Sequence, residues 1–370
     1  MIHNHDNIVI MSSQNKKRVF VGLSGGVDSA VSAGLLIKAG YDVTGVFIKV
    51  WQPDWIECNW KEERRDAMRV SAHLGIPFIT LDLVKEYKQD VIDYMIREYE
   101  NGRTPNPDVM CNRYVKFGGF LKWAREQGAD FVATGHYARV ENGVESKFDL
   151  LAGIDKNKDQ SYFLWTLNQK DLANILFPVG HLTKPEVRKL AEEFDLPNAT
   201  KKDSQGLCFI GKVDVKEFLK HYIKTEKGNV INEKGQIIGH HPGALLFTIG
   251  ERHGFVVTNK SPNDLPYFVV NKNTKDNTIT VSNRQGLKSD TDSRIVNISD
   301  INWVKGVAPS VGSIFQARTR YRQPLQDIRL IKTDNNSATV EFKYDQETIT
   351  SGQSLVMYDG KVCLGGGVIC

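Results

Sequence analysis

From Arg18 onward, short runs of apolar and β-branched residues alternate with longer stretches whose apolar positions repeat with a helical period. The predicted strands cover residues 19–23, 43–50, 77–83 and 130–136, and the predicted helices cover 27–38, 60–73, 84–99 and 113–126. This order is typical of a parallel sheet with helices on both faces. A further helix over 184–194 is indicated by Thr183 at the N-cap and Glu186 at capping-box spacing.

The pattern changes after about residue 225, where short strand-like segments are separated by Gly, Asn and Asp turns. Asp359-Gly360 is a strong hairpin signal between two of these segments. The second half is therefore predicted to be all-β, a small domain followed by a barrel or sandwich, with a boundary near Gly286. The predicted divisions are a tail over 1–17, a nucleotide domain over 18–215, a central β-rich domain over 216–287 and a C-terminal β-barrel over 288–370.

Composition excludes several classes of protein. Hydrophobic residues make up 41% of the 370 positions and no apolar run is long enough for a membrane span, so a transmembrane protein is excluded. A net charge of +4 is too small to indicate a nucleic-acid partner by itself. The five cysteines are an odd number without C-x-x-C spacing, which fits reduced thiols and a cytoplasmic location better than a disulfide scaffold or a zinc ribbon.

A glycine-rich loop over Ser24–Ser29 joins the first predicted strand to the first predicted helix. Adjacent glycines let the backbone approach a ligand closely, and the N–H groups and dipole of a helix N-terminus attract an anion such as phosphate. The loop has neither the Lys-Ser/Thr of the Walker pattern nor G-x-G-x-x-G, which removes the main support for common kinase, GTPase and dehydrogenase interpretations. A plain turn without a ligand is the alternative.

Two cysteines stand in segments that suit a reactive sulfur. Two prolines precede Cys111, so we expect it in a loop ahead of the 113–126 helix, where a helix N-terminus lowers a thiol pKa. Asp108 could take or give a proton nearby. Cys208 follows two lysines and a glycine turn, an electropositive setting. For either cysteine alone, a buried structural thiol is the commoner interpretation.

Seven ordered motifs resemble those of one enzyme family. They are SGGVDS (24–29), TPNPDVMCNRYVKF (104–117), ATGHYAR (133–139), KDQSYFL (158–164), DSQGLCFIG (203–211), TRYRQ (319–323) and CLGGG (363–367). The first resembles the phosphate loop of the ATP pyrophosphatase superfamily, and the complete set resembles the tRNA-specific 2-thiouridylases over nearly the whole chain. The resemblance implies a Rossmann-like, adenine nucleotide alpha hydrolase-like α/β domain, then a small β-rich domain and a C-terminal β-barrel.

The family resemblance also implies an activity and its site. Members adenylate the C2 oxygen of the wobble uridine in tRNAs for Lys, Glu and Gln with ATP and Mg²⁺, and then replace it with sulfur from a cysteine desulfurase or a sulfur-relay protein. Cys208 would carry the persulfide, and Cys111 would be the nucleophile that closes a transient disulfide with Cys208. The implied ATP-binding residues are Gly22, Leu23, Ser24, Gly25, Gly26, Val27, Asp28, Ser29, Ile48 and Gly135, with Asp28 as an expected Mg²⁺ ligand. The implied tRNA contacts are Asn106, Pro107, Asp108, Lys158, Asp159, Gln160, Arg320 and Tyr321.

One observation from the residues themselves bears on RNA binding. Arg318, Arg320 and Arg322 alternate, so on a strand they would share one face and could follow phosphates, although a solvated barrel face is the alternative.

Two other functions compete with thiolation: another ATP pyrophosphatase-type enzyme, such as a synthetase that uses ammonia, and a nucleotide-dependent tRNA-binding module without turnover. The first predicts no role for cysteine, and the second predicts no thiolated product.

Overall fold

The computed structural model describes residues 16–55, 60–203, 208, 214–258, 265–283, 294–346 and 349–370. Most of the predicted tail, Cys58 and the predicted boundary near Gly286 lie outside these residues, as does most of the segment around Cys208.

The strands, in chain order, are β1 (Arg18–Gly22), β2 (Asp42–Lys49), β3 (Phe78–Asp82), β4 (Phe131–Ala133), β5 (Ala138–Asn142), β6 (Phe148–Ala152), β7 (Ile175–Leu176), β8 (Gly228–Ile231), β9 (Ile237–His241), β10 (Val256–Val257), β11 (Phe268–Asn273), β12 (Thr278–Ser282), β13 (Ile295–Trp303), β14 (Ile314–Arg318), β15 (Gln326–Thr333), β16 (Ser337–Phe342), β17 (Ser354–Asp359) and β18 (Val362–Ile369). The α-helices are α1 (Val27–Lys38), α2 (Trp60–Leu74), α3 (Val84–Tyr87), α4 (Tyr94–Glu100), α5 (Pro107–Met110), α6 (Leu121–Glu126), α7 (Gln169–Leu172), α8 (Lys184–Glu193) and α9 (Val215–Lys220). Two π-helical segments, Lys88–Asp93 and Cys111–Phe120, connect α3 to α4 and α5 to α6.

The N-terminal domain contains a five-stranded sheet in the order β3-β2-β1-β4-β7, and all of its strand pairs are parallel. Alternate residues of β1 lie on opposite faces of this sheet. Val19 and Val21 pack with the cluster that contains residues of α1 and α8, whereas Phe20 packs with the cluster that contains Val115 and Phe120. Helices therefore cover both faces, and the predicted Rossmann-like fold is confirmed.

The capping residues of α8 are those that the sequence indicates. Thr183 is its N-cap, and Glu186 completes a capping box by accepting from the backbone N–H of Thr183 at 2.7 Å. Pro185 lies in the first turn. The chain enters this helix beside the phosphate loop, so Lys184 at its start can reach the loop.

The C-terminal domain is a six-stranded barrel, with strand order β13-β16-β15-β14-β17-β18 and a closing pair between β18 and β13. Its interior contains apolar side chains from alternate strand positions, such as Leu330, Val340 and Leu355. The hairpin β5–β6 of the N-terminal domain extends this sheet, because β6 pairs with β18. The nucleotide domain and the barrel thus share a sheet.

The central domain has a separate five-stranded sheet in the order β10-β9-β8-β12-β11. Its strands pack buried side chains such as Val230 and Ile279 near Phe247. The predicted order of an α/β domain, a small β-rich domain and a β-barrel is therefore confirmed. Across the described part of the chain, no helix is long and apolar enough to cross a membrane.

Candidate active site

The loop between β1 and α1 leaves the start of a helix open. Gly26 is the N-cap of α1, and no side chain of the described residues caps this helix. Gly25 has a φ of +74°, and a Cβ there would lie 2.6 Å from the Glu63 carbonyl oxygen, so both conformation and space require glycine. Ser29 Oγ donates to the Gly26 carbonyl at 3.0 Å and braces the loop. The uncapped N–H groups and the helix dipole suit a phosphate.

Gly135, just beyond β4, lies directly against this loop. A Cβ on Gly135 would be 2.7 Å from Ser29 N and 2.8 Å from Asp28 C, so the backbone of one segment rests on the other. The Rossmann-like sheet brings them together because β1 and β4 are neighbouring parallel strands. Ile48, near the end of β2 on the other side of β1, is almost fully buried.

A cluster of opposite charges borders the loop. The Asp28 carboxylate accepts from Tyr137 Oη at 2.8 Å and from Lys184 Nζ at 2.6 Å. Lys184 also contacts Asp203 at 2.8 Å, and Lys158 Nζ donates to Asp203 at 2.6 Å. Partial burial raises the pKa of Asp203, but hydrogen bonds from Lys158 and Lys184 outweigh burial and hold that pKa well below its usual value. The ammonium groups of Lys184 and Lys158 are therefore held beside the Ser24–Ser29 loop.

Cys111 lies within a helix, so its predicted position in a loop was wrong. The helix begins at Pro107, where a proline is favoured because the first helical N–H needs no partner. Asn106 is the N-cap, and its side chain accepts from Val109 N at 3.4 Å. Helix α5 continues into the π-helical segment that starts at Cys111.

The structure brings the two predicted reactive cysteines together. Cys111 Sγ and Cys208 Sγ lie 3.3 Å apart although 97 positions separate them in the sequence. Asp108 accepts from the backbone N–H of Cys208 at 3.1 Å, and Tyr87 Oη donates to the Cys208 carbonyl at 2.7 Å. Backbone contacts on both sides thus hold Cys208 against the Cys111 helix.

The two thiols differ in acidity. Burial raises the pKa of the Cys111 thiol well above its usual value, so the expected lowering of this pKa by a helix N-terminus was wrong. A hydrogen bond from Cys111 lowers the pKa of Cys208, burial opposes it, and the positive charge of Lys116 adds to the lowering. Removal from water raises the pKa of Asp108, which suits a group that exchanges a proton. Cys208 is the better thiolate of the pair.

The sequence interpretation missed two side chains of this site. Lys116 follows Cys111 by five residues, and the i to i+5 repeat of a π-helical segment places both on one side. Lys116 Nζ lies 3.3 Å from His136 Nε2, and His136 Nδ1 lies 2.7 Å from Thr134 Oγ1. Both residues are in the motifs quoted above, but only a π-helical period would have singled out Lys116, because an α-helix places positions 111 and 116 apart.

A cavity of about 320 Å³ opens beside Asp108. Its walls include Asn106, Pro107 and Asp108 together with the aromatic rings of Phe163 and Tyr321, whose centroids are 4.6 Å apart. A planar ring of nucleobase size fits such a cavity, and aromatic walls are the usual partners of an unstacked base.

The barrel and the central domain hold the segment that forms one wall of this cavity. Gln353 Nε2, next to β17, donates to the carbonyls of Thr104 at 3.0 Å and Pro105 at 3.1 Å. The neighbouring Gly352 packs on the Thr104 backbone, where a Cβ would lie 2.8 Å from the Thr104 oxygen. From the central domain, Thr248 Oγ1 lies 3.1 Å from Thr104 Oγ1. The cavity is therefore built where all three domains meet.

Comparisons with known proteins cover the whole organisation. Family models described as a tRNA methyl transferase HUP domain, a tRNA methyl transferase PRC-barrel domain and an aminomethyltransferase beta-barrel domain match residues 17–212, 216–283 and 293–369. A relative from Nitrosomonas eutropha, named tRNA-specific 2-thiouridylase MnmA, is 43% identical over 96% of this chain and 99% of its own length. Relatives of the same name from Lacticaseibacillus paracasei and Staphylococcus saprophyticus are 43% and 44% identical, over 98% and 96% of this chain and 96% of each relative. The chain belongs to the tRNA-specific 2-thiouridylase family.

The tRNA contacts that the 2-thiouridylase family implies fall into different environments. Asn106, Pro107, Asp108 and Tyr321 line the cavity, whereas Lys158 lies in the charge cluster beside the phosphate loop. The Gln160 side chain accepts from Tyr137 N at 3.0 Å. Four of the implied residues therefore line one cavity, and Lys158 lies beside the phosphate loop instead.

Asp159 is buried, contrary to what a direct contact with tRNA requires. Its carboxylate accepts from the backbone N–H groups of Gly153 and Ser161, both at 3.0 Å, and from Arg318 Nη2 at 2.8 Å. A buried carboxylate with these partners joins the nucleotide domain to the barrel. It can position its neighbours, but its oxygens face protein groups.

The three alternating arginines do not share an exposed strand face. Strand β14 ends at Arg318, which is buried against Asp159, and Arg322 has a φ of +63°, which belongs to a turn. Arg320 Nη2 donates to the Ile249 carbonyl at 2.8 Å and to Thr350 Oγ1 at 3.1 Å. The prediction of a continuous phosphate-tracking face was wrong because the chain turns after Arg318.

The residues of this 2-thiouridylase site fit ATP better than they fit a metal held by protein alone. The uncapped helix start, Gly25 and Gly135 leave room for a phosphate close to the backbone. Among the described residues, no group of three or more His, Cys, Asp and Glu side chains forms a metal site. Mg²⁺ commonly uses one or two carboxylates together with substrate phosphates, so Asp28 fits such a shared site.

Proposed function

We propose that this chain is a tRNA-uridine 2-sulfurtransferase, which converts the wobble uridine, position 34, of tRNAs for Lys, Glu and Gln to 2-thiouridine. ATP is the cosubstrate, and AMP and pyrophosphate are the other products. The observation that carries the proposal is the Cys111–Cys208 pair, with its sulfurs 3.3 Å apart, beside a cavity with aromatic walls. Family membership supports the choice of uridine and of these tRNAs.

The first step activates the base. The uridine O2 attacks the α-phosphorus of ATP, the bond to the β,γ-pyrophosphate breaks, and the oxygen becomes part of an AMP ester. The loop Ser24–Ser29 holds the pyrophosphate, and Lys184 neutralises part of its charge. Mg²⁺ bound through Asp28 would supply further positive charge to the phosphates. Activation replaces a poor leaving group with AMP, so one difficult displacement becomes two easier ones.

The second step delivers sulfur. A cysteine desulfurase or a sulfur-relay protein loads a sulfane sulfur onto Cys208, whose lowered thiol pKa suits the accepting thiolate. The buried Cys111 thiol attacks Cys208 Sγ and passes its proton to the anionic terminal sulfur of the persulfide. The persulfide S–S bond breaks, and the terminal sulfur leaves as hydrosulfide with the electron pair. The two sulfurs must approach by about 1.3 Å from 3.3 Å to reach a disulfide bond length.

The final step forms the product. Hydrosulfide attacks C2 of the adenylated uridine, the bond from C2 to the AMP oxygen breaks, and the sulfur proton passes to Asp108. Removal from water raises the pKa of Asp108, which favours its taking that proton. The Cys111–Cys208 disulfide must then be reduced by an external thiol before the next turnover. This need for reduced thiols supports action in the cytoplasm.

The cavity supplies the place for the base. Asn106, Pro107 and Asp108 meet the uracil ring, Phe163 and Tyr321 stack beside it, and the base leaves its stack in the anticodon loop to enter. Lys158, Gln160 and Arg320 contact the surrounding tRNA after giving up part of their present partners. Asp159 acts indirectly by positioning this segment through Arg318.

A cysteine variant tests the function. Purified protein is incubated with ATP, Mg²⁺, a persulfide donor and unmodified tRNA, and thiolated tRNA is resolved on a mercury-containing gel. The wild type should give a shifted band, whereas Cys208→Ser should give none while it still binds ATP. Cys370→Ser is the matched control, because Cys370 is an exposed thiol outside the site.

Two results would contradict parts of the proposal. A wild-type yield of thiolated tRNA from Cys208→Ser would exclude the persulfide role of Cys208. The absence of a shifted band with the wild type, beside a working control enzyme, would exclude sulfur transfer and leave a tRNA-binding module or an amidating enzyme of the same fold.

A further inference from the structure

Lys116 is the positively charged residue beside the Cys111–Cys208 pair. Its half-buried side chain leaves the π-helical segment on the side of Cys111, and its ammonium group donates a hydrogen bond to the Cys208 sulfur. Lys116 Nζ also lies 3.3 Å from His136 Nε2. A positive charge is thus held between a histidine and the thiol pair.

His136 leaves that charge intact. An ammonium group only donates, so His136 Nε2 must accept, and its protonated Nδ1 then donates to Thr134 Oγ1 at 2.7 Å. Burial, followed by the nearby charge of Lys116, lowers the pKa of His136 well below its usual value. A neutral imidazole therefore orients Lys116 without neutralising it.

The other groups around Lys116 favour the ammonium form. Burial lowers the pKa of Lys116, but the combined negative potential of Cys208, Cys111 and Asp108 raises that pKa above its usual value. Tyr87, which reaches the Cys208 backbone from α3, has a pKa raised well above its usual value by burial and stays neutral. Lys116 is consequently charged where Cys208 titrates, since the pKa of Lys116 is raised and that of Cys208 is lowered.

We propose that Lys116 is a catalytic residue of the sulfur transfer, which holds Cys208 as a thiolate and stabilises the anionic sulfur that leaves it. The inference rests on the proposed function for its purpose, but the Lys116–Cys208 contact can be tested without tRNA or ATP. A competing explanation assigns the acidity of Cys208 to the hydrogen bond from Cys111 alone.

The rate of iodoacetamide alkylation of Cys208, followed against pH with peptide mass spectrometry, separates these explanations. An opposite charge within a few ångströms shifts a pKa by about 1–3 units. Lys116→Gln should therefore move the alkylation midpoint of Cys208 upward by about that amount and slow alkylation near neutral pH by about tenfold or more. Lys116→Arg should restore most of the rate because it keeps the charge.

The matched control is Lys122→Gln, which removes an exposed lysine a short distance along the same helical stretch and should leave the midpoint unchanged. Far-ultraviolet circular dichroism checks the fold, and Lys116→Met replaces the glutamine variant if that variant unfolds. Thiolation assays run in parallel report on the proposed function, so loss of one assay can be told from loss of the other.

An unchanged midpoint in Lys116→Gln would overturn the inference, most directly if Cys111→Ser raised the midpoint by itself. Equal slowing in Lys116→Arg and Lys116→Gln would also overturn it, since the charge would then not be the cause.

Discussion

Replacing Gly135 with alanine tests whether close backbone packing shapes the phosphate loop. The added Cβ would lie 2.7 Å from Ser29 N and 2.8 Å from Asp28 C. Both neighbours are backbone atoms at the start of α1, so no side chain can rotate away. An unstrained contact of about 3.4 Å requires the loop and β4 to separate by about 0.7 Å.

The expected effect can be divided into stability and binding. Overpacking of this kind costs typically about 1–3 kcal/mol, which lowers the melting temperature of a domain of this size by about 2–4 °C per kcal/mol. A loop displaced by most of an ångström also loses phosphate hydrogen bonds, and each 1.4 kcal/mol lost weakens ATP binding about tenfold. We expect the ATP dissociation constant to rise about tenfold or more.

Isothermal titration with a non-hydrolysable ATP analogue measures the binding, and differential scanning calorimetry measures the stability. The control is Gly40→Asn at the other end of α1, where φ is +89° and a Cβ meets nothing within 4 Å. Asparagine tolerates this backbone conformation better than most residues. Wild-type affinity and melting temperature in Gly135→Ala would refute the packing argument.

Two further predictions concern buried charges. Arg318→Met should lower the free energy of unfolding, measured in urea, by about 3–5 kcal/mol because it leaves the buried Asp159 carboxylate without its cation. Adding Asp159→Asn should recover part of that loss. Equal stability of Arg318→Met and the wild type would contradict this prediction. Burial lowers the pKa of Lys272 to about 8 from 10.5, so between these pH values the unfolded chain holds a proton that the folded chain has lost. The free energy of unfolding should therefore rise with pH in this range, and Lys272→Met should remove that rise. Parallel pH profiles of unfolding free energy for the wild type and Lys272→Met would count against this prediction.

The sequence predicted most of the nucleotide domain because its signals are local. The strand, glycine loop and helix of residues 18–38 and the capping box of α8 each depend on neighbours within a few positions. The family motifs also singled out Cys111 and Cys208, which the structure brings within 3.3 Å.

The remaining features depend on tertiary contacts. The prolines near Cys111 indicated a loop, but Asn106 caps a helix that starts at Pro107, and burial then controls the thiol pKa. Arg318 was expected at the surface because its alternation was visible, whereas its partner Asp159 is 159 positions away. The pairing of β6 with β18 had no local signal at all.

The hydrogen bonds from Gln353 to the carbonyls of Thr104 and Pro105 also bear on the order in which the protein folds. These hydrogen bonds join positions 249 and 248 residues apart, among the most distant pairings in the molecule. Contacts of such separation require costly loop closure, and they form after local structure. A chain that has folded only its nucleotide domain therefore already has a phosphate loop, but the wall of its base cavity is not yet fastened. The order of folding thus leaves the base cavity incomplete until the barrel has closed.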